Sequence, residues 1–447
     1  MRSAGVRFFI VFVLTLLMVI PLWMVGGIVR ERSDYAESTQ RTIGREWGGA
    51  QTVSGPVLVI PVEGIAYRLE TREVVDRVTG DTTTETIETP YAVRRDPVIL
   101  RPEDLDISVA TASQIRSRGI FEVPVYTAET ELAASFDTTR AATALEADET
   151  LQWDATVLRL GLSSNSGVRP GAEIKGPNGP LDLRPFGDGT SGGIEGDLGA
   201  VSGRVAVSAR LTLNGSSSFR VTPDGRTTRV TMSGDWPDPG FTGAFLPETR
   251  TVTAEGFTAT WAVPHLARAM PQVTRGDANR AFGFGTDFVQ LGDFYQKAWR
   301  AARYGILFIA LTFLCVLLTE RRGQPTHPVQ YVLIGLAQSL FVLLMVAYAE
   351  QVGFALAYGG AAAATIALLV MFGAIGLRLG RRTWVLGGLL MVLYAVLYLI
   401  LTATDLALLA GATLAFLALA ATMIVTRNEE WFGPKGPRDG FRRRTKD

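Results

Sequence analysis

The sequence predicts a polytopic α-helical membrane protein with six transmembrane helices and a large β-rich, sandwich-like domain between the first and second. Three observations predict this. Apolar residues make up 47% of the 447-residue chain, mean hydropathy is +0.22, and yet 43 basic and 43 acidic residues must still be solvated, so the two kinds of residue have to be segregated. Nearly uncharged runs fill residues 8–29 and, between short basic breaks, residues 301–426. The region between them holds most of the acids and alternates like short strands separated by turns.

The run 8–29 is long enough, at ~1.5 Å per residue, to cross a hydrocarbon core of ~30 Å. Its end, "VGGIVRER", is a poor small-x-small cleavage site followed at once by charge, so the run is expected to stay as an anchor. The next stretch, "RERSDYAESTQRTIGREW", has no turn signal before Gly44 and is expected to continue the helix to about residue 47.

Beyond Pro56 the pattern becomes β. In "RVAVSARLTL", Val205, Val207, Ala209, Leu211 and Leu213 share one face while Arg204, Ser208, Arg210 and Thr212 share the other. Residues 67–93 read as a hairpin turning at Gly80, and "SFRVTPDGRTTRVTMSG" as a second one turning at Pro223-Asp224-Gly225. Many short strands with regular turns predict two packed antiparallel sheets.

Five further apolar runs follow, at 301–319, 329–349, 352–377, 383–403 and 406–426. Their polar positions are scattered singles such as Gln338 and Thr365 and form no stripe, which excludes the helices of a soluble enzyme. "YGGAAAAT" places Gly359 and Ala363 at a small-xxx-small spacing, the pattern of a close helix seam. Arg2, Arg7, Arg321, Arg322, Arg378, Arg381, Arg382 and the basic tail fall on one side of this arrangement, and Glu350 and Asp405 on the other. Both termini are therefore expected in the cytoplasm. Lys297, Arg300 and Arg303 are basic residues on the opposite side, at the end of a long translocated region where the charge rule is weak. The expected division is 1–29, first helix; 30–300, extracytoplasmic domain; 301–426, five-helix bundle; and 427–447, basic tail.

Little catalytic chemistry is on offer. The single Cys315 excludes an intrachain disulfide, and His265 and His327 fall on opposite sides of the membrane, so they cannot share a metal or a triad. No G-x-S-x-G, H-E-x-x-H or Walker A sequence occurs. The expectation is no catalytic residue, no cofactor, no metal and no nucleic-acid partner.

Three candidate sites remain. The segment "SGDWPDPGFTGAFLP" sets Trp236, Phe241 and Phe245 among Pro237, Pro239 and glycines. Such a shaped loop either plugs the domain's own core or meets a membrane interface or a partner. Glu350 and Asp405 are expected at the outer mouth of the bundle, where pairing with Arg300 or Arg303 is one reading and solvated loop charge the other. Glu320 beside Arg321 reads as an interfacial pair on the inner face.

The chain resembles the CreD family of inner-membrane proteins along almost its whole length. The resemblance rests on "RERSDY", "GPVLVIPV", "RSRGIFEVPVYTAE", "SGDWPDPGFTGAFLP", "GFTATW", "RYGILFIALTFLCVLLTE", "HPVQYVLIGLA", "GFALAY", "DLALLAGATLAF" and "VTRNEEWF", in that order. It departs from the family in "GLSSNSGVR", where Ser164 and Ser166 replace an Asp-x-Arg-Gly turn, and at Thr404 before Asp405, where an acidic pair is common. The resemblance implies bacterial inner-membrane localisation and regulation with a two-component system. It also implies association with envelope integrity, colicin tolerance and β-lactam response, with no settled enzymatic activity. A non-enzymatic envelope-stress protein is the reading this favours, with a periplasmic domain that binds a protein, peptidoglycan or a lipid. A transporter or flippase-like protein and a membrane-bound enzyme are the alternatives.

Overall fold

The computed structural model describes residues 4–75, 82–119, 121–187, 192–268, 270–276, 283–288, 294–319, 326–402 and 407–427. It divides into two compact units, Met1–Glu37 with Gly292–Asp447, and Ser38–Leu291. The turn expected at Gly80, together with Glu320, Arg321 and Asp405, lies outside the described residues.

The first unit is helical, built from α1 Ala4–Leu17, the part of α2 (Val19–Glu46) up to Glu37, α3 Phe294–Thr319, α4 Pro328–Val352, α5 Phe354–Ile375, α6 Thr383–Thr402 and α7 Ala407–Thr426. The break at Met18 has a local cause. Pro21 has no N–H to give the carbonyl of Leu17, so the ladder lapses there and resumes from Leu22 to Met18. Among the described residues, five stretches are long and apolar enough to cross a membrane: Gly5–Glu46, Phe294–Leu318, Pro328–Val352, Phe354–Ile375 and Gly380–Thr402.

His327, half of the excluded metal pair, has a structural task as the N-cap of α4. Its Nδ1 accepts from the Val329 N–H at 3.3 Å, and Gln330 Oε1 accepts from the His327 N–H at 2.9 Å, a complete capping box ahead of Pro328. Gly353, at φ 80°, makes the turn from α4 into α5 that a side chain would strain.

Small residues let these helices approach closely. Ala298, Ala301 and Ala302 of α3 are buried in one cluster with Leu22, Val25 and Val29 of α2. A methyl on Gly305 would meet Leu22, and one on Gly335 would meet Met18 and Phe313. The seam expected at Gly359 and Ala363 is corrected: both are exposed, and α5 packs instead through Ala357, Ala361, Ala362 and Thr365. The sequence carries several overlapping small-residue stripes there, and helical periodicity alone does not choose among them.

The second unit holds two sheets. One runs in the order Pro239–Gly243, Phe284–Phe288, Ser218–Val221, Gln51–Val75, Val157–Leu162, Gly192–Asp197 and Leu183–Gly187, with Thr82–Leu100 and Glu149–Leu151 also paired to Gln51–Val75 and Val273–Arg275 paired to Thr82–Leu100. The other runs Thr249–Thr253, Gly256–Pro264, Thr227–Gly234, Asp104–Arg118, Phe121–Asp137, Arg204–Ser216, Glu173–Gly176 and Gly179–Pro180. Both feed one core. Leu58, Ile60, Leu158 and Phe219 of the first sheet lie with Leu105, Ile107, Phe136, Leu211 and Trp261 of the second. The alternation in Arg204–Ser216 sends Val205, Val207, Ala209, Leu211 and Leu213 inward as the pattern requires.

The second expected hairpin is corrected. Ser218–Val221 and Thr227–Gly234 belong to different sheets, so Pro223-Asp224-Gly225 carries the chain from one sheet to the other. The turn is locked from inside. The Asp224 carboxylate accepts from the Gly55 N–H at 2.6 Å and lies 3.6 Å from the Arg101 guanidinium, with both side chains almost fully buried. Turn chemistry in a sequence reports that the chain reverses, and the tertiary partners of Asp224 decide which sheet it enters next.

Candidate functional site

At the end of the bundle that carries the chain connections to the β unit, charges from several helices converge. Glu350, in the last turn of α4, is 9% exposed. Its carboxylate accepts from Arg32 Nη2 at 2.7 Å and Nε at 3.3 Å, and from the Tyr295 hydroxyl at 2.9 Å. The cluster therefore ties α2, α3 and α4. A carboxylate near a helix C-terminus is unfavourable in the field of that helix, and the guanidinium offsets both that field and the burial.

The expected partners Arg300 and Arg303 do other work. Arg300 Nη2 donates to the Leu401 carbonyl at 3.3 Å, in the last turn of α6. Arg303 lies over the Trp299 ring with its Cζ 5.2 Å from the centroid. It sits two turns, ~12 Å, further along α3 than Tyr295, out of reach of Glu350. Lys297 Nζ lies 4.9 Å over Phe354, the first residue of α5. Sequence reasoning missed Arg32 and Tyr295. The signal for Arg32 was present in "RERSDY", a charged motif placed directly after an apolar span.

Deeper in the bundle the polar groups serve the helices. Gln338 Nε2 donates to Thr312 Oγ1 at 2.8 Å, which donates to the Phe308 carbonyl at 2.9 Å. The Tyr358 hydroxyl donates to the Tyr394 carbonyl at 2.6 Å. Among the described residues no group of three or more His, Cys, Asp or Glu side chains could hold a metal ion.

The loop Trp236, Pro237, Pro239, Phe241, Phe245 turns inward. Pro239–Gly243 forms an edge strand on Phe284–Phe288, where a proline is tolerated. Trp236 meets Phe288 edge-on at 6.3 Å, Phe241 meets Phe257 and Trp261 at 5.9 and 6.0 Å, and Phe245 meets Phe284 at 5.8 Å. The Trp261 indole N–H donates to the Phe245 carbonyl at 3.2 Å. All three rings are half-buried against the core, so in this structure they pack the domain; Pro237 alone of the five is exposed.

Two other surfaces of the β unit stand open. The first is an arm. Gln51–Val75 and Thr82–Leu100 stay paired as far as Val75 opposite Thr82, whereas Glu149–Leu151 flanks them only at Val62–Gly64. Past that point the ribbon is two strands wide and exposes Ile65, Tyr67 and Leu69 on one face and Ile87 and Tyr91 on the other. Tyr67 is 60% and Leu69 64% exposed. The second is a concavity of about 640 Å³ on the second sheet, crossed by two rows of cross-strand partners, Arg229–Asp106–Ala133–Ser208–Lys175 and Thr231–Ser108–Glu131–Arg210–Glu173. Its charges are largely paired to one another, as in Arg210–Glu131 at 2.7 Å and Arg229–Asp106 at 3.3 Å.

Apolar helices long enough to span a bilayer, together with a large β-rich unit in the same chain, define a polytopic membrane protein with a β-rich domain. Residues 3–432 match the family described as "Inner membrane protein CreD", and the chain belongs to that family. It is 29% identical over 436 residues to the inner membrane protein CreD of Escherichia coli (strain K12), covering 93% of this chain and 91% of that protein. Among solved structures, the M1 zinc metallopeptidase from Deinococcus radiodurans aligns with a TM-score of 0.23 at 11% identity, over 76% of this chain and 95% of that one. A mutant of it bound to a Tyr-Ser-Ala substrate aligns with a TM-score of 0.23 at 12% identity, over 70% and 93%. Those alignments are too weak to carry an argument about fold or activity.

Proposed function

We propose that this protein is a non-enzymatic member of the cell-envelope stress response, with six membrane spans, both termini in the cytoplasm and a periplasmic β-sandwich that binds an envelope partner. Membership of the CreD family supports the setting. The sixth span is α7, a 20-residue apolar helix on the last apolar run of the sequence. Two sheets sharing one core support the sandwich.

The observation that carries the binding role is the arm. A two-stranded ribbon is at best marginally stable by itself in water, and a soluble surface seldom sets five large apolar side chains on one without a partner. Ile65, Tyr67, Leu69, Ile87 and Tyr91 are such a set, and stiff aromatic rings lose little freedom on binding. The partner is a protein of the periplasm or the outer face of the membrane, met through apolar contact.

Photocrosslinking in whole cells tests this. Benzoylphenylalanine at Tyr67 and at Tyr91 should each capture one discrete envelope protein, and the same probe at Ser208 on the concave sheet face should not. Capture at Ser208 alone would move the binding site to the concavity, and capture at none of the three would remove the binding role.

A further inference from the structure

A groove of about 680 Å³ runs between α2 and α3, within the helical unit. Its walls are apolar along Val19, Leu22 and Ile306, and Arg30, Trp299 and Arg303 also line it. Arg30 and Arg303 both lie over the Trp299 ring, each with Cζ 5.2 Å from the centroid. Two guanidiniums are thus held within about 10 Å of one another, around a Debye length. Among the described residues neither forms an ion pair with a carboxylate. Both are exposed, and two like charges gathered at one aromatic ring on the edge of an apolar span make a locally positive site that attracts an anion.

We propose that this groove holds one anionic phospholipid, with its phosphate between Arg30 and Arg303 and an acyl chain lying along Val19, Leu22 and Ile306. The dimensions agree. From Val19 to Arg30 helix α2 rises about 16 Å, close to half of a ~30 Å hydrocarbon core and so to one leaflet. The indole of Trp299 suits the headgroup level, where one side is apolar and the other wet. Gly26 and Gly27 keep the slot open, since a Cβ on either would meet no atom within 4 Å. The phosphate also accounts for basic residues on the side of the membrane where a bacterial protein ordinarily lacks them, because the lipid neutralises Arg30 and Arg303 in place.

The test is native mass spectrometry of the full-length protein in detergent, delipidated and titrated with phosphatidylglycerol or phosphatidylcholine. One phosphatidylglycerol should be retained with about a tenfold preference over phosphatidylcholine, a difference of roughly 1.4 kcal/mol. Arg30→Gln with Arg303→Gln should abolish the preference. Gly27→Leu, which fills the slot and leaves both arginines in place, should lower retention of either lipid. Glycerol phosphate should not displace the lipid, because it offers the phosphate without the chain. Equal retention of the two lipids would overturn the proposal. So would unchanged phosphatidylglycerol retention in a monodisperse Gly27→Leu protein, which decides the matter even if the double arginine variant fails to fold. Displacement by glycerol phosphate would make the site one for a soluble anion.

Discussion

Asp224 and Asp197 are carboxylates held in opposite ways. Asp224 is 3% exposed and meets the Gly55 N–H and the Arg101 guanidinium where the chain changes sheets. Burial pushes the Arg101 pKa down while the carboxylate pushes it back up. Removing one partner of a buried pair leaves the other charge uncompensated, at a cost of about 3–5 kcal/mol. Asp224→Ala should therefore destabilise the β unit by that much in a denaturant titration followed by tryptophan fluorescence, while Arg184→Ala, on the surface, changes it little. Asp197 is exposed and grips Arg184 through both oxygens, at 2.7 and 2.8 Å, which lowers its pKa. The hydroxyl of Thr139 does the same for Asp137. A lowered folded pKa gives stability that is present above the ordinary carboxylate pKa of about 3.9 and lost as pH falls through the folded value. Thermal melts at neutral and acid pH should show a smaller acid loss in Asp197→Asn with Asp137→Asn than in the parent.

At the scale of elements, the loop around Trp236 takes the first of its two readings, a plug on the domain's own core, while the arm turns apolar side chains outward. "IAYRLE" alternates as a core strand would, and nothing in the alternation separates an inward apolar face from one kept for a partner. The proline-rich loop admits both a core plug and a recognition surface by sequence, and its rings take the first role, packing against Phe257, Trp261, Phe284 and Phe288. Stability separates the two elements. Tyr67→Ser with Leu69→Ser should leave the unfolding free energy within about 0.5 kcal/mol, as surface changes do. Phe241→Ala should cost about 3 kcal/mol, less whatever its half-exposure already forgoes. A large loss from the arm pair, or none from Phe241→Ala, would reverse these assignments. The helices were easier to read, because an apolar run of 20 residues has few alternatives, whereas strand order depends on contacts far apart in sequence. The same distance hid the site: Arg32, Tyr295 and Glu350 meet only once α2, α3 and α4 pack, and charge spacing along one helix gives no hint of the partner.

For the whole molecule, the proposed function requires the β-rich residues to face the periplasm and the basic α5–α6 connection to face the cytoplasm. The charge pattern supports it through Arg378, Arg381 and Arg382 in that connection and Glu350 at the opposite ends of the helices. Without this arrangement the arm has no envelope partner to reach, and the groove between Arg30 and Arg303 faces the wrong leaflet. The direct measurement is cysteine labelling in intact cells with an impermeant maleimide, after Cys315→Ser removes the native thiol. Tyr67→Cys and Ser208→Cys should label from outside once the outer membrane is made permeable, and Arg381→Cys should label only after the inner membrane is opened. Labelling of Arg381→Cys from outside, or protection of Tyr67→Cys and Ser208→Cys until the inner membrane is opened, would contradict the account.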